Sequence, residues 1–306
     1  MIRSVPSLKG QVVLITGAGS GIGAAAAREC LARGAHPVLV DIDEVPLRSL
    51  AVELGDNTVA QVADVVNPSD CEAAVRATID RHGRLDVVWA NAGIASFGTL
   101  SLVEPAAWRR VIDVNVIGVF NIVRAALPEV IARRGYIAVT ASSSSFAHPP
   151  ALSAYAGSKA AVEALCNAWR IELAEQGVGV GAIHAGWVRT PLVTEGAQHP
   201  GFVRLRKTMP RFINAEVDAQ VAARAMVDGI ARRERRIWVP GWVRWLHWLR
   251  PLLHTPMAER ELLRAAPEIE RHCREGLAAE GALAASFGPR ERERAMERLR
   301  QASRAD

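Results

Sequence analysis

Short runs rich in β-branched residues alternate with longer stretches of helical periodicity through the first 184 residues, and this order restricts the fold more than any other feature. Residues 12–16, 37–41 and 59–64 read as strands, each followed by a helical stretch at 22–33, 45–54 and 69–82. Further strands are expected at 87–91, 136–141 and 178–184, with helical stretches at 104–131 and 154–175. Pro128 should end or kink the first of these, because proline lacks an N–H and crowds the preceding turn. Repeated β–α–β units place consecutive strands parallel with helices on both faces. The predicted class is therefore α/β, a doubly wound parallel sheet in a single domain over residues 1–236. From residue 237 the chain changes to a Trp-rich segment and then an Ala, Glu and Arg-rich stretch, so 237–306 is expected to form a helical C-terminal extension.

At 306 residues, half of them apolar, the chain is long enough for one large core. No long transmembrane helix is evident. Residues 1–10 carry polar side chains and a proline where a secretory signal would have its apolar centre, so a cytoplasmic location is expected. Cys30, Cys71, Cys166 and Cys273 lie far apart with no CxxC or His-rich pairing, which points to packing residues and to no metal site. The net charge of +5 owes much to arginines after Arg204, notably at 232–236 and 290–300. A solvated helical surface accounts for them, and no nucleic-acid partner is expected.

The first strand runs into Thr16-Gly17-Ala18-Gly19-Ser20-Gly21-Ile22-Gly23, followed at once by an alanine-rich, helix-favouring stretch. Glycines allow the tight turn and let backbone N–H groups approach a pyrophosphate, whose charge the helix N-terminus favours. At a first βα junction this reads as the dinucleotide site of a Rossmann-type sheet, with Gly17, Ser20, Gly21, Ile22 and Gly23 in contact with the cofactor. Asp41 ends the second strand about 20 residues further on, where a carboxylate accepts both ribose hydroxyl protons of NAD. A 2′-phosphate would face that anion, and neither Ser20 nor Ile42 is a cation that could neutralise it, so NAD is favoured over NADP. The alternative is that Asp41 caps a loop beside Asp43.

Tyr155 and Lys159 stand four residues apart in Tyr-Ala-Gly-Ser-Lys, on one face if the segment is helical. A cation beside a phenol stabilises its phenolate and turns a poor base into a proton carrier. Taken alone, such a pair is an ordinary surface arrangement. In company it is not: from about Leu8 to Leu192 the chain resembles the short-chain dehydrogenase/reductase superfamily in its simple one-domain form. The glycine motif is matched by residues 16–23, and the acidic residue after the third strand by Asp64, followed by Val65. The Asn-Ala-Gly turn is Asn91, Ala92 and Gly93, and the helix asparagine is Asn115. The serine after the fifth strand falls on Ser142, with Ser143 as the fallback in a run of four serines. Two positions depart from the pattern. Ala90 stands before Asn91 where an asparagine is usual, and Ala185-Gly186 replaces Pro-Gly, which should loosen the loop through Val188 and Thr190.

The resemblance implies an oxidoreductase that moves a hydride between NAD(H) and a secondary alcohol or ketone. In it Ser142 would hold the substrate oxygen and Tyr155 exchange its proton. Lys159 would bind the ribose and lower the tyrosine pKa, while Asn115 would order a water linking Lys159 to solvent. Asp64, Val65, Asn91, Ala92, Gly93, Val188 and Thr190 complete the expected cofactor contacts. An NADP(H)-dependent ketone reductase and a non-catalytic dinucleotide sensor or scaffold are the rival functions; the intact tetrad weighs against the second. The loop after Gly93, residues 146–152 and the region after Thr190, with Phe202, Met209 and Phe212, are apolar and point to a hydrophobic substrate.

The resemblance also implies a homo-oligomer, dimer or tetramer, through the helices near 108–126 and 154–174. In the Trp-rich segment, a helix over 241–250 would group Trp242, Trp245, Leu246 and Leu249 on one face and Arg244, His247 and Arg250 on the other. That face suits packing on the substrate lid or another subunit, and also peripheral contact with a membrane interface.

Overall fold

The computed structural model describes residues 6–281 together with 285, 293, 295 and 296. Most of the arginine run at 290–300 therefore lies outside the described residues. In chain order the elements begin with β1 (Val12–Thr16), α1 (Gly21–Ala32), β2 (His36–Asp41), α2 (Glu44–Leu54), β3 (Val59–Val62), α3 (Pro68–His82) and β4 (Val87–Ala90). Next come α4 (Pro105–Ile112), a π-helical segment (Asp113–Ile117), α5 (Gly118–Ala132), β5 (Tyr136–Thr140), α6 (Ser153–Glu172) and β6 (Gly179–Ala185). The remainder comprises β7 (Val188–Arg189), α7 (Pro191–Gly196), α8 (Pro200–Arg206), α9 (Arg211–Asn214), β8 (Val217–Asp218), α10 (Ala219–Ala231), β9 (Arg236–Val239), α11 (Val243–Trp248) and α12 (Pro256–Glu280).

Seven strands form one parallel sheet in the order β3-β2-β1-β4-β5-β6-β9, while β7 and β8 make a separate two-stranded ribbon. The strands are continuous apolar runs because both faces are covered: β1 and β5 are buried at every position. On one face α1 and α10 pack over Val13, Ile15, Leu39 and Trp89. On the other, α3, α5 and α6 cover Val12, Leu14, Val88 and Ile137. The ninth strand carries the sheet across the 236/237 boundary expected from the sequence: Ile237 pairs with Ile183 and Val239 with Ala185.

Pro128 stays inside α5 instead of ending it. The continuous run Pro105–Ala132 is long and apolar enough to cross a bilayer by length and composition, contrary to expectation, and half of its most apolar window is buried. A third apolar cluster lies beyond the sheet, where α12 packs along α8 and buries Phe202, Leu205, Ala265, Ile269 and Cys273. Arg204 of α8 pairs with Glu268 of α12. The exposed face of α12 carries arginines paired one turn away, Arg264 with Glu261, Arg271 with Glu275 and Arg274 with Glu270.

Candidate active site

Strand order reverses between β1 and β4, so the loops at their C-terminal ends leave in opposite directions and open a crevice. The resulting cleft has a volume of about 550 Å³. Gly17 and Gly21 adopt left-handed φ of 66° and 53°, which makes the turn from β1 into α1. A Cβ on Gly23 would sit 2.1 Å from the Gly17 carbonyl oxygen, so only glycine lets α1 start this close to the loop. The turn is pinned from β4. Asn91 Nδ2 donates to Thr16 O at 3.0 Å, and Thr16 Oγ1 accepts the amides of Asn91 and Ala92, each at 3.0 Å. Thr140 Oγ1 in turn donates to Asn91 Oδ1 at 3.0 Å, which ties the nucleotide end of the cleft to β5.

Gly17, Ser20, Gly21 and Ile22 line the cleft, as do Asp41, Asp64 and Val65. So do Asn91, Ala92, Gly93, Val188 and Thr190. Gly23, Asn115 and Ser142 do not line it, and Asn115 and Ser142 are buried beside it. Asp41 Oδ2 accepts Gly19 N at 2.8 Å and Oδ1 accepts Asp43 N at 2.9 Å, so its carboxylate is already aimed at the cleft mouth. The sequence reading missed Arg110 of α4, which also lines the cleft and donates to Asp64 Oδ2 at 2.9 Å. Among the described residues its Nε is buried without a hydrogen-bond partner. The sequence offered only one of two adjacent arginines, 46 residues from its carboxylate. Thr190 and Pro191 close over the glycine turn, with Thr190 Cγ2 3.1 Å from where a Gly21 Cβ would lie. This cradle, its helix N-terminus and a carboxylate at the end of β2 fit a dinucleotide.

At the other end of the cleft, one turn of α6 separates Tyr155 from Lys159. Lys159 Nζ lies 5.6 Å from the Tyr155 ring centroid and donates to Thr140 O at 2.7 Å. Lys159 is buried, and loss of water lowers its pKa to about 8. Burial raises the Tyr155 phenol above its ordinary value, while a hydrogen bond with the Ser142 hydroxyl opposes that rise. Ser142 Oγ also accepts Ser144 N at 3.1 Å, so its rotamer is held. Asn115 sits in the π-helical segment, a kind of bulge common at functional sites. Its amide is fully engaged: Oδ1 accepts Ile94 N at 2.9 Å, and Nδ2 donates to Ile94 O at 2.9 Å and Ser158 Oγ at 3.0 Å.

Several apolar residues expected to line a substrate pocket do otherwise. Phe146 is buried against His184, Trp238 and His247, and Phe202 against Phe97 and Trp187. Met209 packs on the α8–α12 cluster, while Phe212 is 63% exposed. The cleft's own apolar wall comes from Ile94, Ala95, Leu192 and Val193. The grouping expected in the Trp-rich segment also changes. His247 turns inward, with Nε2 3.5 Å from Glu163 Oε1, because the helix seats Val243 and His247 behind Phe146. Trp245 and Leu249 face solvent instead of packing.

Residues 11–200 match the short chain dehydrogenase family. The chain is 38% identical over 190 residues to an oxidoreductase, UcpA, of Escherichia coli K12, a match covering 60% of this chain and 72% of that one. It is 35% identical over 248 residues to 11-beta-hydroxysteroid dehydrogenase A of Sesamum indicum, covering 78% and 71%. Among solved structures, it resembles a 3-ketoacyl-(acyl-carrier-protein) reductase of Brucella melitensis complexed with NADH. That likeness has a TM-score of 0.69 at 31% identity and covers 76% of this chain and 98% of the other.

Proposed function

The chain belongs to the short chain dehydrogenase family of oxidoreductases, and from that premise we propose that it moves a hydride between NAD(H) and a hydrophobic secondary alcohol or its ketone. The observation that carries the reading is Lys159 Nζ held 5.6 Å from the Tyr155 ring at one end of a cleft whose opposite end holds the glycine turn and Asp41. The nicotinamide nucleotide, when bound, supplies or accepts the hydride. Ser142 donates to the substrate oxygen and fixes the carbonyl. Tyr155 then exchanges one proton with that oxygen, giving it up in reduction and taking it in oxidation. A phenol raised by burial is held protonated, which readies it for reduction; oxidation needs the cation of Lys159 to stabilise the phenolate. With a pKa of about 8, Lys159 carries that charge at neutral pH. Asn115 positions this pair by holding Ile94 and Ser158, and the Ser158 hydroxyl donates to Tyr155 O.

The preference for NAD rests on Asp41. A carboxylate at the end of β2 accepts hydrogen bonds from ribose hydroxyls, whereas a 2′-phosphate would meet a like charge. The NADH complex of the Brucella reductase supports the same choice. The apolar wall, and the hydroxysteroid activity named for the Sesamum relative, support a hydrophobic substrate. The test is a panel of secondary alcohols of increasing apolar size, following nicotinamide reduction with NAD and with NADP. The reading expects turnover with NAD, improving with apolar size; no turnover across the panel, or turnover with NADP alone, refutes it.

A further inference from the structure

Beyond hydride transfer, we propose that the exposed face of α11 and the turn after it docks the protein onto an anionic lipid surface. Trp245 and Trp248 are 59% and 76% exposed, and Leu249 and Leu252 follow at 49% and 58%. The spacing 245, 248, 249, 252 puts all four on one side of a helical path, and the segment continues from α11 into a 3₁₀ turn at Arg250–Leu252. Two indoles this exposed on adjacent turns form an apolar patch unlike scattered surface leucines. Indoles favour the headgroup layer, where the ring body is apolar and the N–H stays wet.

Charge decides what covers the patch. There is no Asp or Glu between Glu234 and Glu259, nor between Glu195 and Glu216, while the two intervals hold eight Lys and Arg. The intervals meet in space, since Phe212 of α9 packs edge-on against Trp242 at 5.9 Å. Arg204 and Arg206 are committed to Glu268 and Glu216. Lys207, Arg211, Arg244 and Arg250 are exposed, and among the described residues none of the four forms a salt bridge. The Arg244 guanidinium lies 4.8 Å over the Trp245 ring, a cation held beside an indole. A second copy meeting this face about a two-fold axis would bring arginine against arginine, while the neighbouring carboxylate Glu163 is buried behind His247 and cannot reach across. A layer of anionic headgroups supplies that charge, and its acyl boundary receives the indoles.

Co-sedimentation of the full chain with phosphatidylcholine vesicles, with and without phosphatidylglycerol, tests this directly. The intact protein should bind the anionic vesicles, more weakly as salt rises. Trp245→Ser/Trp248→Ser should lose binding, and Arg244→Gln/Arg250→Gln should weaken it about 25-fold, taking roughly 1 kcal/mol per cation. Both variants should keep their circular dichroism and NADH affinity. Failure of the intact chain to bind anionic vesicles overturns the proposal, as does undiminished binding by the arginine pair. A fall in oligomer mass on substituting the tryptophans overturns it too, because a second copy would then be the occupant.

Discussion

Replacing Asp41 with alanine separates nucleotide choice from the rest of the site. The carboxylate holds two backbone amides, Gly19 N at 2.8 Å and Asp43 N at 2.9 Å, and lines the cleft where the proposed nucleotide's ribose would lie. Losing charge-assisted hydrogen bonds to the ribose costs NAD about 1.5–3 kcal/mol, a rise in Kd of roughly 10- to 150-fold. For NADP the same change relieves repulsion. A phosphate of charge near −2 some 5 Å from a carboxylate is worth about 2 kcal/mol in a water-like medium and more where screening is poorer. The two effects act in the same direction on the ratio and together come to about 3.5–5 kcal/mol, so the preference for NADH over NADPH should fall by about three orders of magnitude. Asp41→Asn is the control, keeping an acceptor for Gly19 while removing the charge. Fluorescence titration with NADH and NADPH measures both constants. A ratio unchanged within about threefold in both variants would show that the carboxylate merely caps its loop.

Three further outcomes are expected. Gly23→Ala places a Cβ 2.1 Å from Gly17 O, so the turn must open; nucleotide titration should show affinity reduced at least about tenfold, with overpacking costing about 1–3 kcal/mol of stability in urea. Desolvation lowers the pKa of buried His184 to about 3, against about 6.5 in an unfolded chain, so the unfolded state alone takes up the proton as pH falls through that window. Stability attributable to His184 should thus drop by about 2 kcal/mol from pH 7 to pH 5, and an unaltered pH slope in His184→Gln by urea denaturation would contradict this. Trp108, Ile117 and Phe120 are exposed along α4, the π-helical segment and α5, so light scattering should give a multiple of 33.0 kDa that Phe120→Asp reduces; a 33.0 kDa intact species would refute an interface there.

Where local pattern dominates, the sequence was sufficient. The first six strands are apolar runs long enough to stand out, and the turn at 16–23 needs its glycines for backbone reasons written in the residues themselves. Features set by distant contacts were not legible. The edge strand β9 is only Arg-Ile-Trp-Val after an arginine cluster, and it becomes a strand because β6 offers a free edge. Four consecutive serines are equivalent to any periodicity, and only the fold shows that Ser142 stands just after β5, its hydroxyl capping the turn of Ser143–Ser145 by accepting Ser144 N. The wheel drawn for residues 241–250 failed because the helix spans just Val243–Trp248, and its orientation is set by the pocket of Phe146, His184 and Glu163. Phe146 and Phe202 share the apolar character of a substrate wall, yet one backs Ser142's loop and the other joins α8 to α12. Composition alone does not tell those roles apart.

The central claim is that Tyr155 carries the proton while the glycine turn and Asp41 carry the nucleotide. Tyr155→Phe removes one hydroxyl at the end of the cleft and leaves the cradle intact. The measurement is paired: steady-state turnover of the best secondary alcohol, and NADH affinity by fluorescence titration, on the same preparation. Turnover should fall by at least about 100- to 10,000-fold, with the NADH Kd within a few-fold of the intact protein. Turnover near the intact rate would contradict it.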